Sequence, residues 1–231
     1  MKPKIICHVM ASVDGRLQVE RWTKPWDEES RGELMSTYAE MGRTLQTDAW
    51  TFGRNTVCDI FPDSFSGDDI AERQPKVYAA GRKSKRMFIS FDPEADIVYS
   101  TPSLRGDDIL AVVPADTASW AYLAYLRDSG VSYLVVDSLN DMRPVLEAIN
   151  GHFGITAISL QGGGLLDGGM LNSNVIDELS VVVYPGLDTE NDSVSLFDGK
   201  DAESIASTRL KLISVQALKH GAVWLRYALK Y

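Results

Sequence analysis

Apolar residues along this chain alternate between strand-like runs and helix-like spacings, beginning near the first residue. Residues 4–13 predict a strand that ends at the turn Asp14-Gly15. A helix is predicted from about Ser30 to Leu45, because apolar residues recur there at i, i+4, i+7 and i+11. Its buried stripe is predicted to comprise Leu34, Tyr38, Met41 and Leu45. The polar stretch between the strand and the helix predicts a loop.

The same alternation continues through the rest of the chain. Further strands are predicted over 49–52, 87–90, 109–113, 132–136, 155–160 and 179–184. Helices are predicted over 117–129, 142–149 and 165–171, and an exposed loop over 62–75. In the first of these helices, Trp120, Leu123 and Ala124 are predicted to form the buried face. Two last strands, 209–218 and 222–230, flank a hairpin turn at Lys219-His220-Gly221.

This order of elements predicts an α/β fold of three layers. The central sheet is expected to be mixed but mostly parallel, with helices on both faces and an antiparallel hairpin at the C-terminus. A chain of 231 residues that is 45% hydrophobic can bury a complete core. The sequence therefore predicts a single domain over residues 1–231.

The overall charge narrows the range of partners. A formal charge of −9 and a pI near 4.8 argue against binding to nucleic acid or to an anionic membrane.

No apolar run approaches the roughly 20 residues that span a bilayer, and the start does not resemble a signal peptide. The two cysteines are far apart in sequence and form no metal-binding framework. A cytoplasmic protein is therefore expected.

Three consecutive glycines separate a predicted strand from a predicted helix and form the strongest candidate for a binding site. Gly162-Gly163-Gly164 would leave backbone N–H groups and the positive end of a helix dipole at one point, which suits a phosphate. Glycine allows an anion to approach closely and permits positive φ. Asp167 stands where a Rossmann fingerprint requires its third glycine, and no P-loop sequence is present. A tight turn without a ligand is the alternative.

Gly53-Arg54-Asn55-Thr56 is a second candidate, because it also follows a predicted strand directly. Arg54 could pair with a phosphate in bidentate fashion, and Thr56 could cap a helix or bind the same anion. The alternative is an ordinary turn with a solvated arginine. Two separate strand–glycine–helix sites are what the extended phosphates of a dinucleotide would use.

The end of the first strand, Ala11-Ser12-Val13-Asp14-Gly15-Arg16, is a third candidate. A carboxylate such as Asp14 at a strand end can hold a polar ring or a ribose hydroxyl, although the turn alone would explain Asp-Gly. His8 alternates with core positions and is predicted to be a core histidine with satisfied hydrogen bonds. The three histidines form no metal-binding pattern, so a metal site is not expected.

These three segments, in this order, resemble the reductase domain of bacterial riboflavin biosynthesis, whose fold is dihydrofolate-reductase-like. The first segment is similar to the family's A-S-L-D-G-R/K start. Asp48-Ala49 followed by Gly53-Arg54-Asn55-Thr56-Val57 is similar to its D-A-x-x-x-G-x-x-T segment. Leu160-Gln161-Gly162-Gly163-Gly164-x-Leu166 is similar to its E-G-G-x-x-L segment. The resemblance covers nearly the whole chain.

The resemblance implies NADPH and the reduction of the ribosyl group of a 5-amino-6-ribosylaminopyrimidine 5′-phosphate to ribityl. It places Ala11 at the nicotinamide end, and Asp14 and Gln161 toward the substrate. It places Gly53, Arg54 and Thr56 near the adenosine or pyrophosphate end, with Arg54 as a partner for a 2′-phosphate. The pyrophosphate would be cradled by Gly162, Gly163, Gly164, Leu165 and Leu166. A homodimer is also implied, whereas no catalytic proton donor is identified.

One departure from the family pattern keeps other functions open. The family usually has Glu where this chain has Gln161, so a carboxylate in the substrate pocket becomes a neutral amide. This change favours, as an alternative, a reductase of a pterin or of another heterocyclic substrate. A second alternative is an NADPH-binding domain that does not catalyse a reaction.

Overall fold

The structure is a computed structural model that describes residues 1–27, 31–81, 83–190, 192–199 and 201–231. Ser30, the predicted start of the first helix, lies outside the described residues. The chain forms two compact units. The first unit comprises Met1–Pro3 and Asp48–Thr156, and the second comprises Lys4–Thr47 and Ala157–Tyr231. The expectation of one domain over residues 1–231 stays a prediction.

Strands and helices alternate along most of the chain. Up to the middle they are β1 (Lys4–Ser12), α1 (Arg31–Thr44), β2 (Ala49–Thr51), α2 (Arg54–Ile60), β3 (Val77–Tyr78), β4 (Met87–Phe91), β5 (Ser103–Leu104), β6 (Asp107–Pro114) and α3 (Trp120–Asp128). The remainder are β7 (Ser132–Val136), α4 (Met142–Phe153), β8 (Ala157–Leu160), α5 (Gly164–Asn172), β9 (Glu178–Tyr184), α6 (Ala202–Ser207), β10 (Arg209–Ala217) and β11 (Val223–Lys230). Short 3₁₀ turns occupy Val19–Arg21 and Lys219–Gly221.

The first unit is built on four parallel strands in the order β2-β4-β6-β7. The two-residue strands β3 and β5 pair antiparallel with β7 and β6. One face of this sheet packs against α2 and α3 around a core that includes Trp50, Phe88 and Tyr133. Each large apolar side chain that is fully buried contributes roughly 1.5–3 kcal/mol. The packing of this face therefore stabilises the first unit.

Helix α3 differs from its prediction in both its start and its buried face. It begins at Trp120 because the Ser119 side chain accepts a hydrogen bond from the Tyr122 N–H at 3.1 Å, which makes Ser119 its N-cap. The fully buried residues are Tyr122, Leu123 and Leu126, whereas Trp120 and Ala124 are half-buried, with Trp120 packed against the edge of the same core. Tyr122 can be buried because its hydroxyl lies 2.8 Å from Asp92 Oδ2. A polar partner in the segment that follows β4 thus favours this orientation of the helix.

The second unit is a mixed sheet in the order β8-β1-β9-β11-β10. Strands β8, β1 and β9 are parallel, and β11 and β10 are antiparallel to their neighbours. Alternate residues of β1 face opposite sides. Ile6 and Met10 pack with Leu34 of α1, whereas Val9 faces the loop that begins α5. The sheet is therefore covered by α1 on one face and by α5 on the other.

His8 is buried between β1, β9 and α1, as predicted for a core histidine. Its Nε2 lies 3.1 Å from the carbonyl oxygen of Tyr38, an acceptor, so Nε2 carries the ring proton. Its Nδ1 then accepts from the Ser180 hydroxyl at 2.9 Å, and Ser180 Oγ in turn accepts from Trp224 Nε1 at 2.8 Å. Burial lowers the pKa of His8, so the ring is neutral.

The C-terminal hairpin contains a bulge that gives it one apolar face. Leu212 pairs with Tyr227 and Ser214 with Arg226, so Ile213 is an extra residue in β10. Without it, Val215 would face the opposite side from Leu212. The pairs on the apolar face are Leu210–Leu229, Leu212–Tyr227, Val215–Leu225 and Ala217–Val223.

The predicted fold class, a largely parallel α/β protein with C-terminal antiparallel strands, is confirmed. Most predicted elements are present, with ends that shift by up to four residues. The sequence did not predict β3, β5 or α6, which are too short to show a period. Among the helices of the described residues, none has the length and apolar character needed to cross a membrane.

Candidate active site

The carboxyl ends of three parallel strands in the second unit bring most of the predicted site residues to one edge. Ala11 lies near the end of β1, pairs with Val183 of β9 and is buried. Asp14 follows β1, and Gln161 and the glycines follow β8. In open α/β sheets, ligands bind at the carboxyl ends of the strands. This edge is therefore the candidate site.

The glycine loop, residues 161–164, has the geometry expected of an anion site. Gly162 has φ of +85°, which favours glycine. Gly163 is the N-cap of α5, and a Cβ placed on it would meet no atom within 4 Å. The first amides of α5 have no partners within the helix and lie beside this open space. Next to them, Leu165 is 71% exposed and Leu166 is half-buried.

A segment after β9 packs directly against the start of α5. A Cβ on Gly164 would lie 2.5 Å from the Ser195 carbonyl oxygen, and one on Gly168 would lie 1.8 Å from the Asp198 carbonyl oxygen. Asp198 N–H also donates to the Gly164 carbonyl at 2.9 Å. The two glycines, four residues apart on one helix face, therefore permit this close approach.

The loops after β1 and β9 are joined by backbone hydrogen bonds. Val13 N–H donates to the Gly186 carbonyl at 2.9 Å, and Leu17 N–H donates to the Val194 carbonyl at 3.1 Å. Asp14 belongs to the loop after β1, and its carboxylate accepts a hydrogen bond from the Asp188 N–H of the other loop at 3.1 Å. A hydrogen bond from Ser12 is the main cause of a lowered pKa for Asp14, so its carboxylate is charged.

Gln161 and Asp167 are two different polar groups beside the glycine loop. Gln161 is half-buried, and its Nε2 donates to Ser159 Oγ at 3.3 Å. Asp167, in the first turn of α5, is fully buried. Within the described ranges, neither of its carboxyl oxygens has a hydrogen-bond partner of good geometry. Burial is the main cause that raises the pKa of Asp167 well above its usual range.

The remaining predicted residues belong to the first unit, where Gly53 is the N-cap of α2 and Thr56 is exposed. Arg54 is held by carboxylates: its Nη1 pairs with Asp92, and its Nη2 lies 2.6 Å from Asp96 Oδ1 and 3.1 Å from Glu94 Oε2. Arg54 is therefore part of an ion cluster rather than a solvated side chain. Its binding to a phosphate stays a prediction.

A family model described as the RibD C-terminal domain matches residues 3–224. The chain belongs to this family. Membership points to a pyrimidine reductase-like oxidoreductase, and the riboflavin-biosynthesis reductases of the family use a nicotinamide cofactor. No curated protein matches the chain in sequence.

Solved structures that resemble this chain include members of the same family. A pyrimidine reductase-like protein from Corynebacterium diphtheriae has a TM-score of 0.69 at 19% identity, covering 99% of this chain and 92% of that one. The riboflavin biosynthesis reductase Rib7 of Saccharomyces cerevisiae has a TM-score of 0.63 at 13% identity, with coverage of 99% and 90%. RibD of Acinetobacter baumannii has a TM-score of 0.62 at 20% identity, and this chain covers 58% of it. At these identities the likeness establishes the fold alone.

Sequence reasoning missed several residues that shape the site. The sequence pattern identifies Asp167 only as a departure from the Rossmann fingerprint. It does not predict the contact of Asp198 with α5. The spacing of Gly164 and Gly168 was a usable signal, because small residues four apart on a helix mark a close approach. No sequence signal linked Arg54 to Asp92, since the two residues are 38 positions apart.

Proposed function

We propose that this protein is an NADPH-dependent reductase of a 5-amino-6-ribosylaminopyrimidine 5′-phosphate. The observation that carries the proposal is the glycine loop. It joins positive φ at Gly162, open space over Gly163 and the start of α5 at the carboxyl ends of β8, β1 and β9. Such a loop offers free amides and a positive dipole end to a diphosphate. The residues therefore fit the cofactor.

The proposed roles of the other residues follow from their positions. When bound, NADPH supplies a hydride to the substrate. Ala11, small and buried at the end of β1, would leave room for the nicotinamide ring. The backbone hydrogen bonds that join the loops after β1 and β9 would limit the access of water to the reacting atoms. Holding the two reactants in contact is the main catalytic contribution of such a site.

Asp14 and Gln161 are proposed to contact the substrate. Asp14 is an exposed carboxylate that can accept hydrogen bonds from amino or hydroxyl groups. Gln161 offers an amide, which both donates and accepts, where a carboxylate would only accept. This difference favours a second candidate, a reductase of a pterin or of another heterocyclic compound.

The test is oxidation of NADPH by the purified protein with each candidate substrate. We expect turnover of the ribosylaminopyrimidine phosphate to the ribityl product, identified by mass. Turnover of a dihydropterin alone would support the second candidate. NADPH binding without turnover of either compound would favour the non-catalytic alternative. Absence of NADPH binding would contradict the cofactor assignment.

The preference for NADPH over NADH is proposed to involve Arg54. A 2′-phosphate there would compete with Asp92, Asp96 and Glu94, which already contact the guanidinium. The Kd ratio of NADH to NADPH tests this part in wild-type protein and in Arg54→Met. If Arg54 binds the phosphate, the ratio falls in the variant. An unchanged ratio would remove this role.

A homodimer is proposed to form through the apolar face of the β10–β11 hairpin. Leu210, Leu212 and Val215 on this face are 54%, 52% and 60% exposed. A two-fold axis brings the same patch of both copies together, so an uncharged face avoids repulsion between two acidic chains.

The free thiols of Cys7 and Cys58 agree with a cytoplasmic location.

Light scattering tests the dimer. Wild-type protein should have twice the chain mass of 25.5 kDa. Leu212→Glu, on the apolar face, should halve that mass. Lys211→Glu, on the opposite face of the same strand, is the matched control and should remain dimeric. A monomeric wild type would contradict the proposal.

A further inference from the structure

Asp167 is a buried carboxyl group in the first turn of α5, directly beneath the glycine loop. Its Oδ2 would lie 4.0 Å from a Cβ on Gly162. The Gly162 amide and the Cys7 thiol are the groups that act on it, yet neither carboxyl oxygen has a partner of good geometry among the described residues. A buried polar group thus lies against the loop, and its hydrogen-bonding capacity is not satisfied with good geometry by any described residue.

The environment of Asp167 keeps its carboxyl group neutral. An isolated carboxylate without a cation or strong donors is disfavoured in a buried site, so the group holds a proton instead. Cys7, on β1, is also fully buried, and both its burial and Asp167 raise the pKa of its thiol. No described cation is paired with Asp167, in contrast to Asp92.

Neutrality matters because of what the loop is proposed to bind. A diphosphate and an ionised Asp167 would be two anions competing for the same amides and the same positive helix end. Like charges a few ångströms apart, shielded from water, repel strongly. A protonated Asp167 leaves those amides to the ligand.

We propose that Asp167 is a positioning residue that must be protonated for the glycine loop to bind a dinucleotide. This inference rests on the proposed function, since it takes the loop as the diphosphate site. When the apoprotein is deprotonated at Asp167, binding is accompanied by uptake of one proton, which goes to the Asp167 carboxylate. Dinucleotide affinity is therefore linked to pH through a group that does not touch the reacting atoms.

The titration of Asp167 must be distinguished from that of other acidic groups near α5. Cys7 on β1 is the titratable side chain that acts on Asp167, and Asp198 lies against Gly164 and Gly168 of the same helix. Asp198 Oδ1 accepts from the Ser195 hydroxyl at 2.5 Å. Asp198→Asn is therefore the matched control, because it neutralises a second acid beside the same helix.

The experiment measures the Kd of NADH from pH 5.5 to 9 by nicotinamide fluorescence. NADH is the probe because it lacks the 2′-phosphate, whose own titration would complicate the profile. In wild type, Kd should rise about tenfold per pH unit above the pKa of Asp167 in the apoprotein. In Asp167→Asn, Kd should vary by less than about twofold, whereas Asp198→Asn should follow the wild type.

Two results would overturn the proposal while leaving the cofactor site intact. One is a wild-type profile as flat as that of Asp167→Asn. The other is the same pH dependence in both proteins. If none of the proteins binds NADH or NADPH at any pH, the proposed function falls and this inference falls with it.

Calorimetry of the wild type alone provides a readout that does not depend on a variant folding. NADH binding at alkaline pH in two buffers of different ionisation enthalpy should reveal uptake of about one proton. No proton uptake at any pH would contradict the proposal. A stability measurement adds a check, since Asp167→Asn should be more stable than wild type at neutral pH. That gain should vanish below about pH 3, where the wild-type acid is protonated in both the folded and unfolded chains.

Discussion

The chain contains two strand–glycine–helix turns, which look alike in sequence but have opposite electrostatic character. After β2, Gly53 starts α2, and Arg54 is surrounded by Asp92, Glu94 and Asp96. After β8, Gly163 starts α5, with open space over the glycine, and the buried Asp167 has no hydrogen-bond partner of good geometry among the described residues. Carboxylates of the same chain surround the cation at the first turn, whereas no described cation is paired with Asp167 at the second.

The difference shows that residues distant in sequence set the electrostatics of each turn. Asp92 accepts hydrogen bonds from the N–H groups of Asp96 and Ile97 at 3.0 and 3.1 Å, so its loop is built around the ion cluster. Burial is the main cause that raises the pKa of Asp92, whereas the Ile97 N–H, the Tyr122 hydroxyl and Arg54 oppose that rise. At the glycine loop no described cation is paired with Asp167, and the packing of glycines shapes the loop.

The largest predicted effect concerns the packing that holds the glycine loop. Gly168→Ala would place a Cβ 1.8 Å from the Asp198 carbonyl oxygen, so the backbone of one segment must move. We expect a loss of about 3 kcal/mol in the free energy of unfolding, measured with urea. Gly169→Ala is the matched control, because its Cβ would meet nothing within 4 Å. It should be neutral or stabilise by up to about 1 kcal/mol. Equal stability of the two variants would contradict this account.

The second prediction tests the cluster of carboxylates around Arg54 at the start of α2. Arg54→Met removes the cation beside Asp92, which is fully buried, and should destabilise the protein by about 2 kcal/mol in urea unfolding. The loss should shrink at low pH, because protonation removes the charge of Asp92. Glu94→Gln, at a side chain that is 68% exposed, should change stability by less than about 0.5 kcal/mol. A neutral effect of Arg54→Met would mean that the cluster contributes little.

The smallest effect concerns another buried ionisable group of the second unit, His8. Its pKa is lowered in the folded state, so stability is fully present above the unfolded value of about 6.5 and is lost as pH falls below it. Between pH 7.5 and 5.5, wild type should lose about 1 kcal/mol more than His8→Gln. His152→Gln, at an exposed histidine of α4, should behave as wild type. A pH dependence unchanged by His8→Gln would contradict the neutral, buried ring.

The sequence predicted the fold better than the site, for a physical reason. Periodicity is local, so the stripe of Leu34, Tyr38, Met41 and Leu45 and the strand over 132–136 were predictable. Contacts between elements are not local, and one of them, the hydrogen bond from Tyr122 to Asp92, helps to set the buried face of α3. The alternation in the last strand was predicted, but its buried residue is Trp224, on the face opposite Leu225 and Tyr227.

For the site, the sequence located the turns but not their electrostatics. Gly162–Gly164 and Gly53–Thr56 both lie where strands give way to helices, as predicted. The partners of Arg54 and the isolation of Asp167 depend on segments that the local pattern does not connect. The resemblance to riboflavin-biosynthesis reductases supplied the family, which the match over residues 3–224 confirms.

The central claim is that the glycine loop binds the diphosphate of the nicotinamide cofactor. The most direct test is the Kd of NADPH for Gly163→Asp against Gly163→Asn. Both side chains fit the open space and are good helix N-caps, so both variants should fold, and they differ mainly in charge. We predict that Gly163→Asp weakens binding at least about tenfold relative to Gly163→Asn, a difference of about 1.4 kcal/mol. Equal affinities in the two variants would contradict a diphosphate at this loop.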